Sequence, residues 1–464
     1  MMFGRSRFLA KSVSRNISSV NTRRLASTKS LKETIQEIVP AKQEQLKKLK
    51  AEHGQTVVGQ VTVENIIGGM RGIKAMLWDS SVLDPMEGIR FHGMSIPEAQ
   101  KALPPAPGGK EMTAEGMFWL LLTGQVPTAE QTQQLSLELA ERAELPKFVE
   151  ELIDSLPNTL HPMTQLGMGV AALNHDSAFQ SAYERGIKKT EYWTYAYEDC
   201  MNLVAKLPTI AARIYRNIYQ PKKSIAAIDK SKDLVGNYVN QLGFGHNENF
   251  TEYLRLYIAL HADHEGGNAS AHTAHLVGST LADPFISYAA GLYSLAGPLH
   301  GLANQEVLRW QISMLSEVGN NFSKDDIKKY LWATLNKGQV VPGYGHGVLR
   351  NPDPRFVALQ AFCKGHEDLM ASPMVKLVAE TAEVAPDVLK EHGKTKNPFP
   401  NVDAASGCVL YHYGLTQFKY YTVIFGISRA LGAATQLVWA RALGLPIERP
   451  KSFSIDALEK LAKN

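Results

Sequence analysis

Two histidines and an aspartate lie in segments that lack helical periodicity and are rich in glycine and proline. His300 is in Gly-Pro-Leu-His-Gly, His346 is in Gly-Tyr-Gly-His-Gly, and Asp403 ends the run Asn-Pro-Phe-Pro-Asn-Val-Asp. A histidine beside glycine can be a turn residue, and an aspartate after proline can cap a helix. Together, however, the three could supply a general acid, a general base and a hydrogen-bond donor to a reacting carbonyl.

Arginines follow these segments or end later helices, and they could bind an anionic substrate. Because the planar guanidinium group forms two parallel hydrogen bonds with a carboxylate, arginine suits the recognition of acids. Solvated surface charge is the alternative explanation for any one of them. The set that predicts an anion site is Arg350, Arg355, Arg429 and Arg449.

Four histidines crowd residues 261–275 and raise the question of a metal site. His264-Glu265 begins like the zinc signature His-Glu-x-x-His, but Asn268 stands where the second histidine is required. His264 precedes Gly266-Gly267, where the backbone can approach a ligand closely. The sequence therefore predicts no metal ligands here, and helix-interior, hydrogen-bonded roles for His261, His272 and His275.

Nucleotide-binding and nucleophile motifs are incomplete. Gly393-Lys394-Thr395 resembles the end of a phosphate-binding loop, but Val388 occupies the position of its first glycine. No Gly-x-Ser-x-Gly motif is present, and the three cysteines form no close pair. We expect these cysteines to be buried apolar side chains in a reducing compartment.

Residues 1–32 are basic, contain several serines and have no acidic residue, and Leu9, Val13, Ile17 and Val20 share one helical face. This composition is typical of a mitochondrial transit peptide, with a disordered basic tail as the alternative. Residues 1–31 hold seven of the 49 basic residues and none of the 45 acidic ones, so without them the charge changes from +4 to −3. The basic pI therefore does not indicate nucleic-acid binding.

Helical periodicity dominates the rest of the chain, whose length suits two domains. Strand-like alternation is scarce, apart from a possible short hairpin near residues 57–63. The fold class predicted is therefore all-α. The clearest helices are predicted over residues 115–122, 128–142, 146–156, 252–261 and 420–443.

Residues 284–305 have no charged side chain and are long enough to suggest a membrane span. They contain Gly297, Pro298, His300 and Asn304, however, which are typical of a polar turn. A buried helix followed by a polar turn explains the segment better, so we expect no membrane partner.

Several of these runs together resemble the citrate synthases. The similarity extends from about residue 33 to the C-terminus and includes Gly68-Gly-Met-Arg-Gly72. Because the motifs are long, ordered and independent, they identify the chain as a member of that family. They are His261-Ala-Asp-His-Glu-Gly-Gly-Asn268, Gly297-Pro-Leu-His-Gly301, Pro342-Gly-Tyr-Gly-His346, Asp353-Pro-Arg355, Pro400-Asn-Val-Asp403 and Glu448-Arg-Pro-Lys-Ser452.

The resemblance implies an all-α homodimer in the mitochondrial matrix. Its large helical domain would comprise residues 33–299 and 410–464, and its small domain residues 300–409. The small domain would close over the substrates by a hinge motion that completes the site.

The resemblance also assigns roles in joining a short acyl-CoA to oxaloacetate. Asp403 would remove the proton next to the thioester carbonyl, and His300 would hydrogen-bond that carbonyl as the enolate forms. His346 would polarise the ketone of oxaloacetate and protonate it after attack. Hydrolysis would then release CoA, and the reaction would need no metal and no cofactor.

Substrate-binding residues follow from the same resemblance. His264, Arg355 and Arg429 would hold oxaloacetate, together with Arg449 contributed across the dimer interface. The CoA phosphates would contact Arg350, Lys394 and Lys396. Solvated surface charge remains the alternative for the two lysines.

The acyl group depends on variable positions near the base. With Ala405, Gly347 and Cys408 at these positions, the sequence resembles the fungal 2-methylcitrate synthases, which use propionyl-CoA and usually also accept acetyl-CoA. One methyl group is worth only about 1–3 kcal/mol of discrimination, so use of both is expected. The prediction is a 2-methylcitrate synthase with citrate synthase activity, and the alternative is the housekeeping citrate synthase of the tricarboxylic acid cycle.

Two other function classes compete with this interpretation. A CoA- or dicarboxylate-binding protein without catalysis could have lost Asp403 or His300, and both residues are present. A metallohydrolase predicts inhibition by chelators, which the citrate synthase interpretation does not.

Overall fold

The computed structural model describes residues 28–463, so most of the predicted leader lies outside the described residues. In this part of the chain helices predominate, which confirms the all-α prediction. They are α1 (Leu31–His53), α2 (Val63–Ile67), α3 (Ile96–Ala102), α4 (Ala114–Thr123), α5 (Ala129–Arg142), α6 (Lys147–Ser155), α7 (Pro162–Ala172), α8 (Ala178–Glu184), α9 (Tyr192–Tyr219), α10 (Leu234–Leu242), α11 (Glu248–His261), α12 (Ala269–Ser279), α13 (Pro284–Leu295), α14 (Ala303–Val318), α15 (Lys324–Asn336), α16 (Pro354–Lys364), α17 (Glu367–Met370), α18 (Pro373–His392), α19 (Asp403–His412), α20 (Tyr421–Ala442) and α21 (Ile455–Ala462).

Local capping explains several helix boundaries. The Thr113 hydroxyl accepts a hydrogen bond from the backbone N–H of Gly116 at the start of α4. Gly124 ends the same helix with φ of 69°, a left-handed conformation that glycine adopts without strain. Thr128 and Gln131 form a reciprocal capping box at the start of α5. The helices predicted over residues 115–122 and 128–142 are therefore confirmed.

The hairpin predicted near residues 57–63 is wrong. That segment is irregular and exposed before α2 begins, with 81% of Val57 accessible, because β-branched residues form a stable strand only against a partner. The hairpin observed is β1 (Ser81–Asp84) paired antiparallel with β2 (Gly88–Phe91). Its turn contains Asp-Pro-Met-Glu-Gly, a turn signal that could have located it.

Helix α20 forms the centre of the molecule and packs against α4, α9, α11, α12 and α13. With the 3₁₀ turn Phe418–Tyr420 it is long and apolar enough to cross a membrane, but 94% of its most apolar window is buried inside the protein. Core packing therefore explains its composition. The apolar α13 is similarly buried and ends before the polar turn that holds His300, as predicted.

Cys200, Cys363 and Cys408 are buried and form no disulfide. Burial raises the pKa of each thiol, so these side chains stay protonated and unreactive. The prediction that they are small buried core residues is confirmed.

A second, smaller hydrophobic cluster lies apart from the main core and is built from α14, α15, α18 and the chain near Val341. All its members fall inside the predicted small domain, although Val402 and Val409 of that range pack into the main core. The domain boundaries therefore stay a prediction. The cluster comprises Met314, Phe322, Ile327, Leu331, Leu335, Val341, Leu377, Ala385, Val388 and Leu389.

Candidate active site

His264 lies in the loop that joins α11 to α12. It is only 7% exposed, and its Nε2 has no hydrogen-bond partner within residues 28–463. Burial, followed by the charges of Arg355 and Arg429, lowers the pKa of His264 well below the ordinary histidine value. The ring is therefore neutral, and its unpaired nitrogen marks a position suited to a polar ligand.

His300 follows α13 in a tight turn and reaches the start of α12. Its Nε2 accepts a hydrogen bond from the backbone N–H of Ser270 (3.2 Å), and the Ser270 hydroxyl lies 2.8 Å away. Burial, assisted by the charge of Arg429, lowers the pKa of His300 to about 4. The neutral ring must then carry its proton on Nδ1, which makes Nδ1 a hydrogen-bond donor.

His346 has the opposite tautomer. Its Nδ1 accepts hydrogen bonds from the backbone N–H groups of Val348 (3.0 Å) and Leu349 (3.1 Å). Burial and the charge of Arg355 lower its pKa to about 4. The proton of the neutral ring is therefore on Nε2, and that nitrogen can donate to a carbonyl oxygen.

Asp403 is the first residue of α19, and its backbone N–H donates to Oδ1 of Asn401 (3.0 Å). Burial raises the pKa of its carboxyl group to about 6, although the charge of Arg355 acts in the opposite direction. Such a carboxylate is a stronger base than an ordinary aspartate and is still ionised at neutral pH. Asp403 is thus suited to proton abstraction.

Two buried arginines differ in how their charges are balanced. Arg355 forms a two-point ion pair with Asp353, with Nε–Oδ1 of 3.1 Å and Nη2–Oδ2 of 2.7 Å. Arg429 donates to the His261 carbonyl (3.2 Å) and to Oδ1 of Asn268 (2.8 Å), both neutral acceptors. Burial lowers the pKa of Arg429 to about 10, so it stays charged. An anionic ligand would balance this buried charge.

The structure brings six predicted residues together in one cleft: His264, His300, His346, Arg355, Asp403 and Arg429. The rings of His264 and His346 lie edge to face with their centroids 5.8 Å apart. Arg355 is close enough to shift the pKa values of four of the other five, and Arg429 shifts those of two histidines. The cleft thus combines a base, two neutral donors and two cations.

The remaining predicted site residues are not part of this cleft. Arg449, Lys394 and Lys396 are exposed. Arg350 is also exposed, and its guanidinium group donates to the carbonyl oxygens of Val348 (2.7 Å) and Leu349 (2.9 Å). Arg350 therefore lies at the edge of the His346 loop.

Sequence reasoning missed the residues that orient the ones it found. Ser270 fixes the His300 ring, Asn268 binds Arg429, and Asp353 pairs with Arg355. Asn268 and Asp353 each precede a helix, so the sequence indicates that they cap it, and both residues do so. The contact between Asn268 and Arg429 could not be read from the sequence because the two residues are far apart in the chain.

The other histidines of residues 261–275 lie on helices and make protein contacts. His261 contacts the Tyr257 carbonyl through Nδ1 (2.7 Å), which confirms its structural role. His272 lies 3.3 Å from a carboxylate oxygen of Glu448, and His275 contacts the other oxygen. Within residues 28–463, no group of three or more histidine, cysteine or acidic side chains could hold a metal ion.

Comparison with known proteins identifies the family. Residues 69–451 match the family model for the citrate synthase C-terminal domain. The chain belongs to the citrate synthase family. It is 59% identical over 428 residues to the mitochondrial citrate synthase of Aspergillus niger, and the matched residues cover 92% of this chain and 90% of the relative. It is 57% identical over 431 residues to the mitochondrial 2-methylcitrate synthase of Yarrowia lipolytica, which covers 93% and 92%.

Solved structures agree with this assignment. The crystal structure of citrate synthase from Pyrobaculum aerophilum has a TM-score of 0.73 and 26% identity, and the match covers 86% of this chain and 97% of that one. The Thermoplasma acidophilum citrate synthase, solved as a ternary complex with carboxymethyl coenzyme A and oxaloacetate, has a TM-score of 0.69 at 20% identity. This second likeness concerns the fold alone.

The relatives also bear on location. The Aspergillus niger and Yarrowia lipolytica proteins are both named as mitochondrial, as is the Neurospora crassa citrate synthase, 57% identical over 438 residues. This agrees with the location predicted from the basic leader. This citrate synthase family member is mitochondrial.

Proposed function

We propose that this protein condenses a short acyl-CoA with oxaloacetate and water to give CoA and citrate or 2-methylcitrate. The observation that carries the proposal is the pair of neutral histidines with opposite tautomers beside a carboxylate whose pKa is near 6. Condensation requires two neutral donors, one for each substrate carbonyl, and one base. One relative named as a citrate synthase and another named as a 2-methylcitrate synthase support the same reaction.

The first step forms an enolate of the acyl-CoA. Asp403 removes a proton from the carbon next to the thioester carbonyl, and His300 donates from Nδ1 to the carbonyl oxygen. Such a carbon acid is far weaker than any carboxylic acid, so transfer needs stabilisation of the oxygen where charge develops. One preorganised donor of this kind contributes about 3–4 kcal/mol in a dry site.

The second step joins the enolate to the ketone of oxaloacetate. His346 donates from Nε2 to the ketone oxygen and transfers its proton as the alkoxide forms. Hydrolysis of the thioester then releases CoA, which is a substrate here. The side chains named supply the charge stabilisation in these steps, so the proposed mechanism uses no cofactor.

Oxaloacetate binds beside His346 in this proposal. Arg429 supplies a buried charge whose hydrogen bonds go to neutral acceptors, and His264 supplies an unpaired nitrogen. Arg355 would share its guanidinium group between Asp353 and the second carboxylate. Bidentate arginine contacts make such a site specific for dicarboxylates.

The CoA moiety binds outside this cleft in the proposal. Arg350, Lys394 and Lys396 are exposed cations next to the loops that carry His346 and Asp403. Phosphate groups would be held there by long-range attraction and mobile side chains. These three residues are proposed to contact the CoA phosphates.

A homodimer completes the site in this proposal. Arg449 is exposed, and it is proposed to enter the cleft of the partner subunit. The apolar residues that follow it in the chain support a covered interface, because Phe453 and Ile455 are more than half exposed. Leu299, adjacent to His300, is fully exposed as well.

Two domains that close over the substrates remain part of the proposal. The large domain would comprise residues 33–299 and 410–464, and the small domain residues 300–409. The separate cluster built on α14, α15 and α18 supports a small-domain core. Closure would exclude water from the enolate.

The acyl group remains open between propionyl and acetyl. Ala405 is fully buried on α19, two residues after Asp403. Residues two apart on a helix do not face each other, so Ala405 influences the acyl pocket through the position of α19 rather than by direct contact. We propose a 2-methylcitrate synthase that also has citrate synthase activity, so that both acyl-CoAs are used.

The proposal is tested by measuring kcat/KM for acetyl-CoA and propionyl-CoA with oxaloacetate, following thiol release. Turnover of both supports a 2-methylcitrate synthase with citrate synthase activity. Turnover of acetyl-CoA alone identifies the housekeeping citrate synthase. Binding of oxaloacetate and CoA without turnover of either thioester would contradict catalysis and leave a non-catalytic binding protein.

A further inference from the structure

The carboxylate of Asp263 lies behind the oxaloacetate loop and is completely buried. Its Oδ2 accepts hydrogen bonds from Trp78 Nε1 (3.1 Å), Ser80 Oγ (2.5 Å) and Ser81 Oγ (2.8 Å). Its Oδ1 accepts from the backbone N–H of His264 (3.0 Å). A buried carboxylate with four donors, three of them from one distant segment, fixes the position of the loop that carries it.

Asp263 also packs tightly against α20, the helix that carries Arg429. The backbone N–H of Gly432 donates to the Ala262 carbonyl (3.0 Å). A Cβ at Gly432 would lie 2.6 Å from Oδ1 of Asp263, so only glycine permits this approach. Because Gly432 is one turn beyond Arg429, the same contact sets where Arg429 stands relative to His264.

Glu265 has a strained backbone, with φ of +50°. The backbone N–H of Glu265 donates to Ser81 Oγ (2.8 Å), and its carboxylate accepts from the backbone N–H of Leu83 (3.3 Å). Such a conformation persists only where surrounding contacts impose it. Here the contacts that impose it come from Ser81 and Leu83 of β1.

The turn of the same hairpin touches the loop between His346 and Arg355. The Pro85 carbonyl accepts from the backbone N–H of Arg350 (2.8 Å), and the Met86 carbonyl accepts from Nδ2 of Asn351 (2.8 Å). A Cβ at Gly88 would lie 2.4 Å from the Pro354 ring, which shows close packing. The hairpin therefore contacts both halves of the oxaloacetate site.

We propose that the β1–β2 hairpin is a strut that sets the spacing between His264 and the His346–Arg355 loop, with Asp263 as its anchoring and positioning residue. The strut acts on oxaloacetate recognition and not on proton transfer. This inference rests on the proposed function, because it assigns the affected ligand to the cleft described above.

The test uses the full chain with Asp263→Asn, Ser81→Ala and Asn351→Ala. Losing a hydrogen bond to a charged group weakens the folded position of the loop by about tenfold to a hundredfold, so Asp263→Asn and Ser81→Ala should raise KM and Kd for oxaloacetate by up to that factor. Asn351→Ala, which removes the exposed contact with the hairpin turn, should raise the KM and Kd for oxaloacetate about threefold. At saturating oxaloacetate, kcat and the KM for acetyl-CoA should stay within about threefold of wild type.

Glu87→Gln is the matched control, because Glu87 is an exposed carboxylate on the same turn that pairs with Arg90 and leaves Asp263 untouched. It should leave every constant unchanged. If Asp263→Asn does not fold, Ser81→Ala and Asn351→Ala decide the question. An unchanged oxaloacetate Kd in folded Ser81→Ala, or a loss of kcat without a change in KM, overturns the strut. Absence of turnover in wild type would instead contradict the proposed function.

Discussion

The two proposed substrate-binding regions of this protein are built differently. The proposed oxaloacetate region consists of buried residues on core helices, where Arg429 and His264 are held by neighbours before any ligand arrives. The proposed CoA region consists of three exposed cations on loops, Arg350, Lys394 and Lys396. A small dianion needs a preorganised cleft, whereas a long, flexible ligand gains from many weak contacts.

This contrast has an energetic meaning. Buried charges interact strongly and depend on exact geometry, so a change there affects binding by orders of magnitude. Exposed charges are screened by water and salt, and each is worth little. The following predictions test whether the two regions differ in this way.

The largest effect is expected for the base between the two regions. Asp403→Asn should lower kcat by about 10²–10⁴-fold, because amide cannot accept the proton. The oxaloacetate Kd, measured by calorimetry, should change only a few-fold if the buried region is preorganised independently of Asp403. A full rate in this variant would contradict the mechanism.

A smaller but still large effect is expected for the buried cation. Arg429→Gln should raise the KM for oxaloacetate roughly 10- to 150-fold, the loss expected for charge-assisted hydrogen bonds. Steady-state kinetics with both substrates measures it, and the KM for acetyl-CoA at saturating oxaloacetate is the internal control. Equal changes in both KM values would remove the distinction between the regions.

The pH dependence of kcat/KM should show a tenfold change per pH unit on its acidic side. Because Asp403 has a pKa of about 6 in the folded protein, its base form is lost as the pH falls through 6. A plot of log kcat/KM should therefore decline with a slope of one below that pH. The bend should disappear from the residual activity of Asp403→Asn.

The same carboxyl group links pH to stability. Its folded pKa lies above the unfolded value near 4, so folding is weakened by this group above pH 6 and not below pH 4. Asp403→Asn should accordingly raise the free energy of unfolding by about 1–3 kcal/mol at pH 7.5. Thermal unfolding at pH 7.5 and pH 4 would measure it, and a stabilisation that is equal at both values would contradict the assignment.

The smallest effect is expected at the exposed CoA region. Lys394→Gln and Lys396→Gln should each raise the KM for acetyl-CoA by about two- to fivefold at low salt, and less at high salt. Lys364→Gln, an exposed lysine at the end of α16, is the control. Salt-independent changes of a hundredfold would show that this region is built like the buried one.

Much of the fold could be predicted because capping and apolar periodicity are local. Thr113 and Gly124 mark the two ends of α4, about ten residues apart in the chain. The apolar composition of α20 indicates that this helix is buried. The hairpin was misplaced because residues 57–63 have strand-like composition without a partner. Ser81 and Phe91 pair across a turn, and that pairing is decided by packing against the helices.

The candidate site divides in the same way. Its proposed reactive residues stand in distinctive glycine- and proline-rich runs, so His300, His346 and Asp403 could be named as candidates from the chain. The residues that orient them could not, because Ser270 and Asp263 look like an ordinary helix residue and a loop acid. Their significance depends on contacts with His300 and with Ser81, which the chain order does not reveal.

The sequence by itself determined the family, the helical class, the mitochondrial location and the candidate reactive side chains, since these depend on residue types and local spacing. Only the tertiary structure decided which nitrogen of each histidine carries the proton, which arginine lacks a carboxylate partner, and why Asp403 is a stronger base than a surface aspartate. The physical reason is that protonation and charge balance are set by burial and by neighbours distant in the chain.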